Sequence, residues 1–120
     1  MALVLAIEDE LYMDKLYRET LGKGRFEVIV KDRWEEAQKI LSSKKIDLLL
    51  LDIGLPDLDG IEILKQVRRL FSSLPVIMVT AYGTDERIQQ AKELGIVDFI
   101  IKPFKIPVLR EKIQKVLGLK

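Results

Sequence analysis

The 120-residue chain contains no histidine and no cysteine. A histidine general base, a Ser-His-Asp triad, a thiolate nucleophile and a thiolate or imidazole metal site are therefore all excluded. Chemistry falls to carboxylates, lysines and hydroxyls. Four short stretches stand out: Glu8-Asp9-Glu10, Asp52, Thr80 and Lys102. Each directly follows or ends an apolar run. Singly, an acidic residue at a loop start is an ordinary solvated cap. Gathered in one crevice, Glu8, Asp9 and Asp52 repel one another, and their pKa values rise unless a cation lies among them. An oxygen-lined, carboxylate-rich crevice suits a hard divalent ion that keeps several waters, and Mg²⁺ is the natural candidate. The Thr80 hydroxyl and the Lys102 charge suit an anion held over those carboxylates.

The elements must bring these stretches together. Five apolar runs recur, at Leu3–Ile7, Phe26–Val30, Asp47–Leu51, Val76–Val79 and Val97–Ile101. Those around Val4, Leu49 and Ile77 are almost wholly apolar, as expected of strands buried on both faces of a parallel sheet. Between the runs the period is helical. The inward faces read Met13, Leu16, Tyr17, Thr20 and Leu21; then Trp34, Ala37, Ile40 and Leu41; then Ile63, Leu64, Val67, Leu70 and Phe71. Ile88, Ala91 and Leu94 mark the fourth helix, and Leu109, Ile113, Val116 and Leu117 the fifth. Asp32 and Thr84 suit N-caps, Gly22 and Gly95 suit helix ends, and Pro107 suits a first turn.

Five successive βα units predict a doubly wound α/β sandwich, with a five-stranded parallel sheet of order 2-1-3-4-5 and helices on both faces. Such a sheet puts its site at the carboxyl ends of strands 1 and 3, where the strand order switches. All four chemical stretches then share one edge.

Composition bounds the function further. Hydrophobic residues are 48% of the chain and charged residues 32%, enough apolar material for one core and too much for disorder. The length suits a single domain over residues 1–120. A net charge of +1 gives no bulk drive toward nucleic acid or an anionic membrane. The opening apolar run is too short for a signal peptide, and no stretch approaches a membrane span. With the lack of disulfides, this makes a cytoplasmic location the expectation.

Four motifs in order carry a resemblance to a known family. They are Ala6-Ile7-Glu8-Asp9-Glu10, Asp52-Ile53-Gly54-Leu55-Pro56-Asp57-Leu58-Asp59-Gly60, Val79-Thr80-Ala81, and Asp98-Phe99-Ile100-Ile101-Lys102-Pro103-Phe104. Together they resemble the receiver domain of two-component response regulators, over essentially the whole chain. The resemblance implies a flavodoxin-like (βα)5 fold and a phospho-acceptor, Asp52. It implies Mg²⁺ held by Glu8, Asp9, Asp52 and the Gly54 backbone carbonyl. Thr80 becomes the switch hydroxyl, Phe99 the switch aromatic and Lys102 the phosphate-sensing lysine, with a cis Lys102-Pro103 bond. Gly54 and Tyr82 fall at the positions that flank the water's approach and tune dephosphorylation. The implied partners are a sensor histidine kinase or histidine phosphotransfer protein, and an output domain or protein met through the fourth helix, fifth strand and fifth helix. The chain then assists only its own phosphorylation and dephosphorylation and is not a turnover enzyme.

The motifs depart from the commonest pattern in three places. The acidic pair is Glu-Asp, Phe99 replaces a frequent tyrosine, and Val108 stands in a region where many dimerising relatives carry charge. Other readings are a receiver-like docking domain that works without phosphorylation, an FMN-binding flavodoxin-like protein, and a haloacid-dehalogenase-like phosphatase. Against FMN stands Glu8-Asp9-Glu10, which repels phosphate where a Ser/Thr/Gly loop is wanted. Against the phosphatase stands the first strand's end, which lacks an Asp-x-Asp pattern.

Overall fold

The computed structural model describes residues 2–18, 26–53, 59–81 and 85–119. Among these described residues five strands alternate with five helices. They run β1 (Ala2–Ile7), α1 (Leu11–Leu16), β2 (Phe26–Lys31), α2 (Trp34–Ser43), β3 (Leu48–Asp52), α3 (Gly60–Leu70), β4 (Val76–Thr80), α4 (Asp85–Glu93), β5 (Asp98–Ile101) and α5 (Ile106–Leu117). The sheet order is β2-β1-β3-β4-β5, with every pair parallel, as the alternation of periods predicts.

The central strands are apolar on both faces because both faces are covered. All five residues of β3 and of β4 are buried. Alternate side chains feed two cores. Leu5, Ile7, Leu49, Leu51, Val76 and Met78 meet Trp34, Ala37, Leu41, Ile63, Leu64, Val67 and Ala91 from α2, α3 and α4. Val4, Ala6, Leu48, Leu50, Ile77 and Val79 meet Met13 and Tyr17 on one side, and Leu109 and Ile113 of α5.

Ends and faces mostly follow the sequence. Gly95 closes the turn after α4 at φ +84°, and Pro107 sits in the first turn of α5. Two expectations need correction. Asp32 does not cap α2: the N-cap is Arg33, with no side-chain cap bond, and Glu35 and Glu36 supply negative charge to the first turn instead. Leu70, assigned to the inward face of α3, is 50% exposed: it is the last residue of the helix and sits at the rim of the core, while Val67 stays buried. Thr20, Leu21, Gly22 and Thr84 lie outside the described residues.

One backbone contact fixes where β3 delivers its last residue. The Gly60 N–H donates to the Ile53 carbonyl at 2.9 Å. A Cβ at Gly60 would lie 2.5 Å from Ile53 Cα and 2.8 Å from the Asp52 carbonyl oxygen. These are backbone atoms, which cannot swing aside as a flexible side-chain end would. Gly60→Ala is expected to destabilise the fold by about 1–3 kcal/mol through overpacking. Urea unfolding checks it, and an unchanged midpoint contradicts the close approach.

Candidate functional site

The carboxyl edge gathers the chemistry in layers. β1 and β3 are neighbours, with Ile7 in register with Leu51, so Glu8 and Asp52 leave the sheet side by side. Glu8 is buried at the exit of β1, where its N–H donates to the Lys31 carbonyl at 2.9 Å. Asp52 is the buried last residue of β3, in register with Val79, one residue before Thr80. One carboxylate oxygen from each of Glu8, Asp9, Glu10 and Asp52 lies within 4.8 Å of the others.

Lys102 enters this cluster from the end of β5. Its backbone N–H donates to the Thr80 carbonyl at 2.8 Å, and its bond to Pro103 is cis, as expected. The ammonium then lies 2.8 Å from Glu8 Oε2, 2.9 Å from Glu10 Oε1 and 2.9 Å from Asp52 Oδ2. From sequence, Lys102 was expected to meet an anion held above the carboxylates; the structure sets it among the carboxylates themselves. It is the cation that the crowding of Glu8 and Asp52 requires. Glu10 belongs to the site although its type alone marked it only as part of an acidic exit. The one available signal was its place two residues after Glu8.

Burial dominates the electrostatics. It pushes the Glu8 carboxyl from its ordinary 4.5 up to about 7, with Asp52 adding to the rise and Lys102 opposing it. Burial also works to lower the Lys102 ammonium, but its contacts with the Glu8, Asp52 and Glu10 carboxylates win and hold it above its ordinary value. The cluster counts four carboxylates, three of them beside the one ammonium, and so has more acidic groups than basic ones. Glu8 Oε2 is within ion-pair distance of Lys102 but off hydrogen-bond alignment, leaving a buried oxygen with acceptor capacity to spare. An all-oxygen set of this kind fits a hard divalent cation. Gly54 and Tyr82 lie outside the described residues.

The switch candidates occupy the next strands. Thr80 is fully buried at the end of β4. Phe99 is half-buried on β5 and packs against the core shared with α3 and α4, and the Lys92 ammonium sits 5.6 Å from its ring centroid. Helix α4 is tied to α3 at both ends. Near its start, Arg87 Nη2 donates to Asp59 Oδ1 at 2.7 Å, while the same Asp59 oxygen caps α3 by accepting from the Ile61 N–H. After its end, Arg68 donates to the carbonyls of Leu94 at 2.7 Å and Gly95 at 3.3 Å. Burial works against the Asp59 charge, yet Arg87 and the Ile61 N–H hold its carboxyl below the usual value.

These shifts set a pH dependence. Folded Glu8 binds its proton more tightly than unfolded Glu8, so between about pH 4.5 and about 7 the folded state carries the extra proton. Stability of the metal-free protein should therefore fall as pH rises through that window. The raised Lys102 acts in the same direction but only at alkaline pH, and the depressed Asp59 acts the other way, only at acid pH. Calorimetry in chelator from pH 5 to 7.5 should show a declining melting temperature, flattened by Glu8→Gln. A separate expectation concerns Lys102→Met, which leaves two buried carboxylates unpaired and should cost about 3–5 kcal/mol without metal. Denaturant melts measure that loss, and a cost below about 1 kcal/mol contradicts the central role of this ammonium.

The chain matches the family model of the response regulator receiver domain over residues 4–114. It is 35% identical over 117 residues to sporulation initiation phosphotransferase F of Bacillus subtilis (strain 168), covering 98% of this chain and 94% of that protein. It is 31% identical over 119 residues to a chemotaxis protein CheY homolog of Campylobacter jejuni, covering 96% and 92%. Among solved structures, a CheY-like response regulator receiver domain protein from Methanospirillum hungatei JF-1 superposes with a TM-score of 0.92 at 27% identity, covering 98% and 94%. With five parallel strands in the doubly wound order and a carboxylate cluster at their switch point, this chain belongs to the response regulator receiver domain family.

Proposed function

We propose that Asp52 is the aspartate this receiver domain phosphorylates, and that Mg²⁺ is the ion its acidic cluster holds. Receiver domains take a phosphoryl group on an aspartate and signal to partners. The observation that carries the assignment to Asp52 is its buried carboxylate at the end of β3, 2.9 Å from the Lys102 ammonium. Glu8, Asp9, Asp52 and the Gly54 backbone carbonyl would hold the metal. When bound, the ion neutralises charge on the phosphoryl oxygens during transfer.

The reaction moves a phosphoryl group from a phosphohistidine of a sensor kinase or histidine phosphotransfer protein. An Asp52 oxygen bonds to phosphorus as the P–N bond breaks. The electron pair of that bond stays on the imidazole nitrogen. Lys102 and the Thr80 hydroxyl meet the phosphoryl oxygens from the β5 and β4 ends, so this chain supplies positioning and charge. No histidine or cysteine is needed on this side.

Drawing Thr80 toward the phosphoryl group vacates space that Phe99 takes. The α4-β5-α5 surface then presents a different face to an output domain or protein, a shift between two packings with the phosphoryl group as the ligand that favours one. The half-buried Phe99 ring and the exposed Ile101 and Val108 support that surface as the output face. Gly54 and Tyr82 tune hydrolysis. The chain acts in the cytoplasm, by self-modification and not by turnover, with no nucleic acid or membrane as a direct ligand; no helix among the described residues is long and apolar enough to cross a membrane.

Acetyl phosphate with Mg²⁺ should add one phosphoryl group, read by intact mass, and Asp52→Asn should take none. Equal labelling of the variant assigns the acceptor elsewhere. Mg²⁺ alone should raise the melting temperature, by roughly 2.7 kcal/mol of stability at a hundred times its Kd. A melt indifferent to Mg²⁺ counts against the metal site.

A further inference from the structure

We infer that Glu10 is a positioning residue of this site: it holds Lys102 while the site lacks a phosphoryl group and must release it when one arrives. The inference rests on the reading above that Lys102 meets the phosphoryl group. Asp52 and Glu10 each accept a hydrogen bond from the ammonium at 2.9 Å, and Glu8 Oε2 crowds its third side at 2.8 Å, off hydrogen-bond alignment. A phosphoryl oxygen that reaches Lys102 enters among three carboxylate oxygens and, by like charge, drives one of them away.

Burial decides which one leaves. The Glu8 side chain is 1% exposed and that of Asp52 5%, whereas Glu10 is 37% exposed. Releasing Glu8 would strand a buried charge, which is strongly unfavourable. Asp52 carries the incoming group, so the lysine has to stay beside it. Glu10 exchanges Lys102 for water, and its carboxylate, more than a third exposed, is the one already within reach of solvent. The release also leaves the backbone in place. The Glu10 N–H donates to Glu8 Oε1 at 3.3 Å, so the strand exit is tied to the carboxylate that stays. Glu10 thus competes with the phosphoryl group for Lys102 and sets how readily the site accepts one.

Beryllofluoride, which takes the place of a phosphoryl group on a carboxylate, measures this at saturating Mg²⁺ by titration calorimetry. Mg²⁺ affinity is measured first for each protein without beryllium. Glu10→Gln should bind beryllofluoride about three- to fivefold more tightly than wild type, the ratio equivalent to a half-exposed pair. Glu10→Asp keeps the charge but withdraws it by one methylene, and should tighten binding similarly. Glu36→Gln is the charge control. Glu36 lines the same acidic hollow as Glu8, Asp9 and Glu10 but is not among the partners of Lys102, so its loss should leave the affinity unchanged. Equal tightening by Glu36→Gln would reduce the effect to general charge and overturn the inference. So would unchanged binding in both Glu10 variants. Weaker binding of both Mg²⁺ and beryllofluoride by Glu10→Gln would make Glu10 a ligand of the ion and overturn it too. Failure of the wild type to bind beryllofluoride defeats the phosphoryl-site reading itself, along with the inference; binding by wild type without the variant effect defeats only the inference.

Discussion

One lysine ammonium among three carboxylates is the contact on which this site depends. Lys102 is buried with Glu8 and Asp52, and neither acid would be tolerated there alone. Its backbone is held by the bond from its N–H to the Thr80 carbonyl. The charge that balances the cluster is therefore mounted on the same two strand ends that bear the candidate switch residues.

The surrounding fold makes such a cluster affordable. Two fully buried central strands, packed by helices on both faces, give the edge a stiff floor. The close approach of Gly60 to the end of β3 pins the acceptor candidate from the other side. Burial above all, with the neighbouring Asp52 adding to it, makes Glu8 hold its proton up to about pH 7. Metal binding and protonation are thus alternative ways to relieve the same repulsion.

The ties of α4 differ at its two ends. Arg68 holds the turn after α4 through carbonyls, contacts that do not depend on the site's charge. Arg87 holds the first turn through a half-exposed ion pair with Asp59, the residue that caps α3.

Local pattern alone determined much of this protein. Unbroken apolar runs at Val4, Leu49 and Ile77 require a sheet buried on both faces, and the alternation with helical periods leaves few strand orders, of which 2-1-3-4-5 is the one expected and found. That order sends Glu8, Asp9, Asp52, Thr80 and Lys102 to one edge. What the sequence left undecided was partnership. Whether Lys102 faces an anion or the acids depends on distances between the ends of β1, β3 and β5; Lys102 lies 50 residues from Asp52 and 92 from Glu10 in the chain. The role of Glu10 was hidden for the same reason, since an acid at a strand exit is ordinary until a lysine arrives from the far end of the fold. Leu70 and Asp32 erred differently. A helical period does not say where the helix reaches the rim of the core, and a good capping residue does not say which neighbour the backbone makes the cap. Those outcomes were set by packing between elements, which no local pattern encodes.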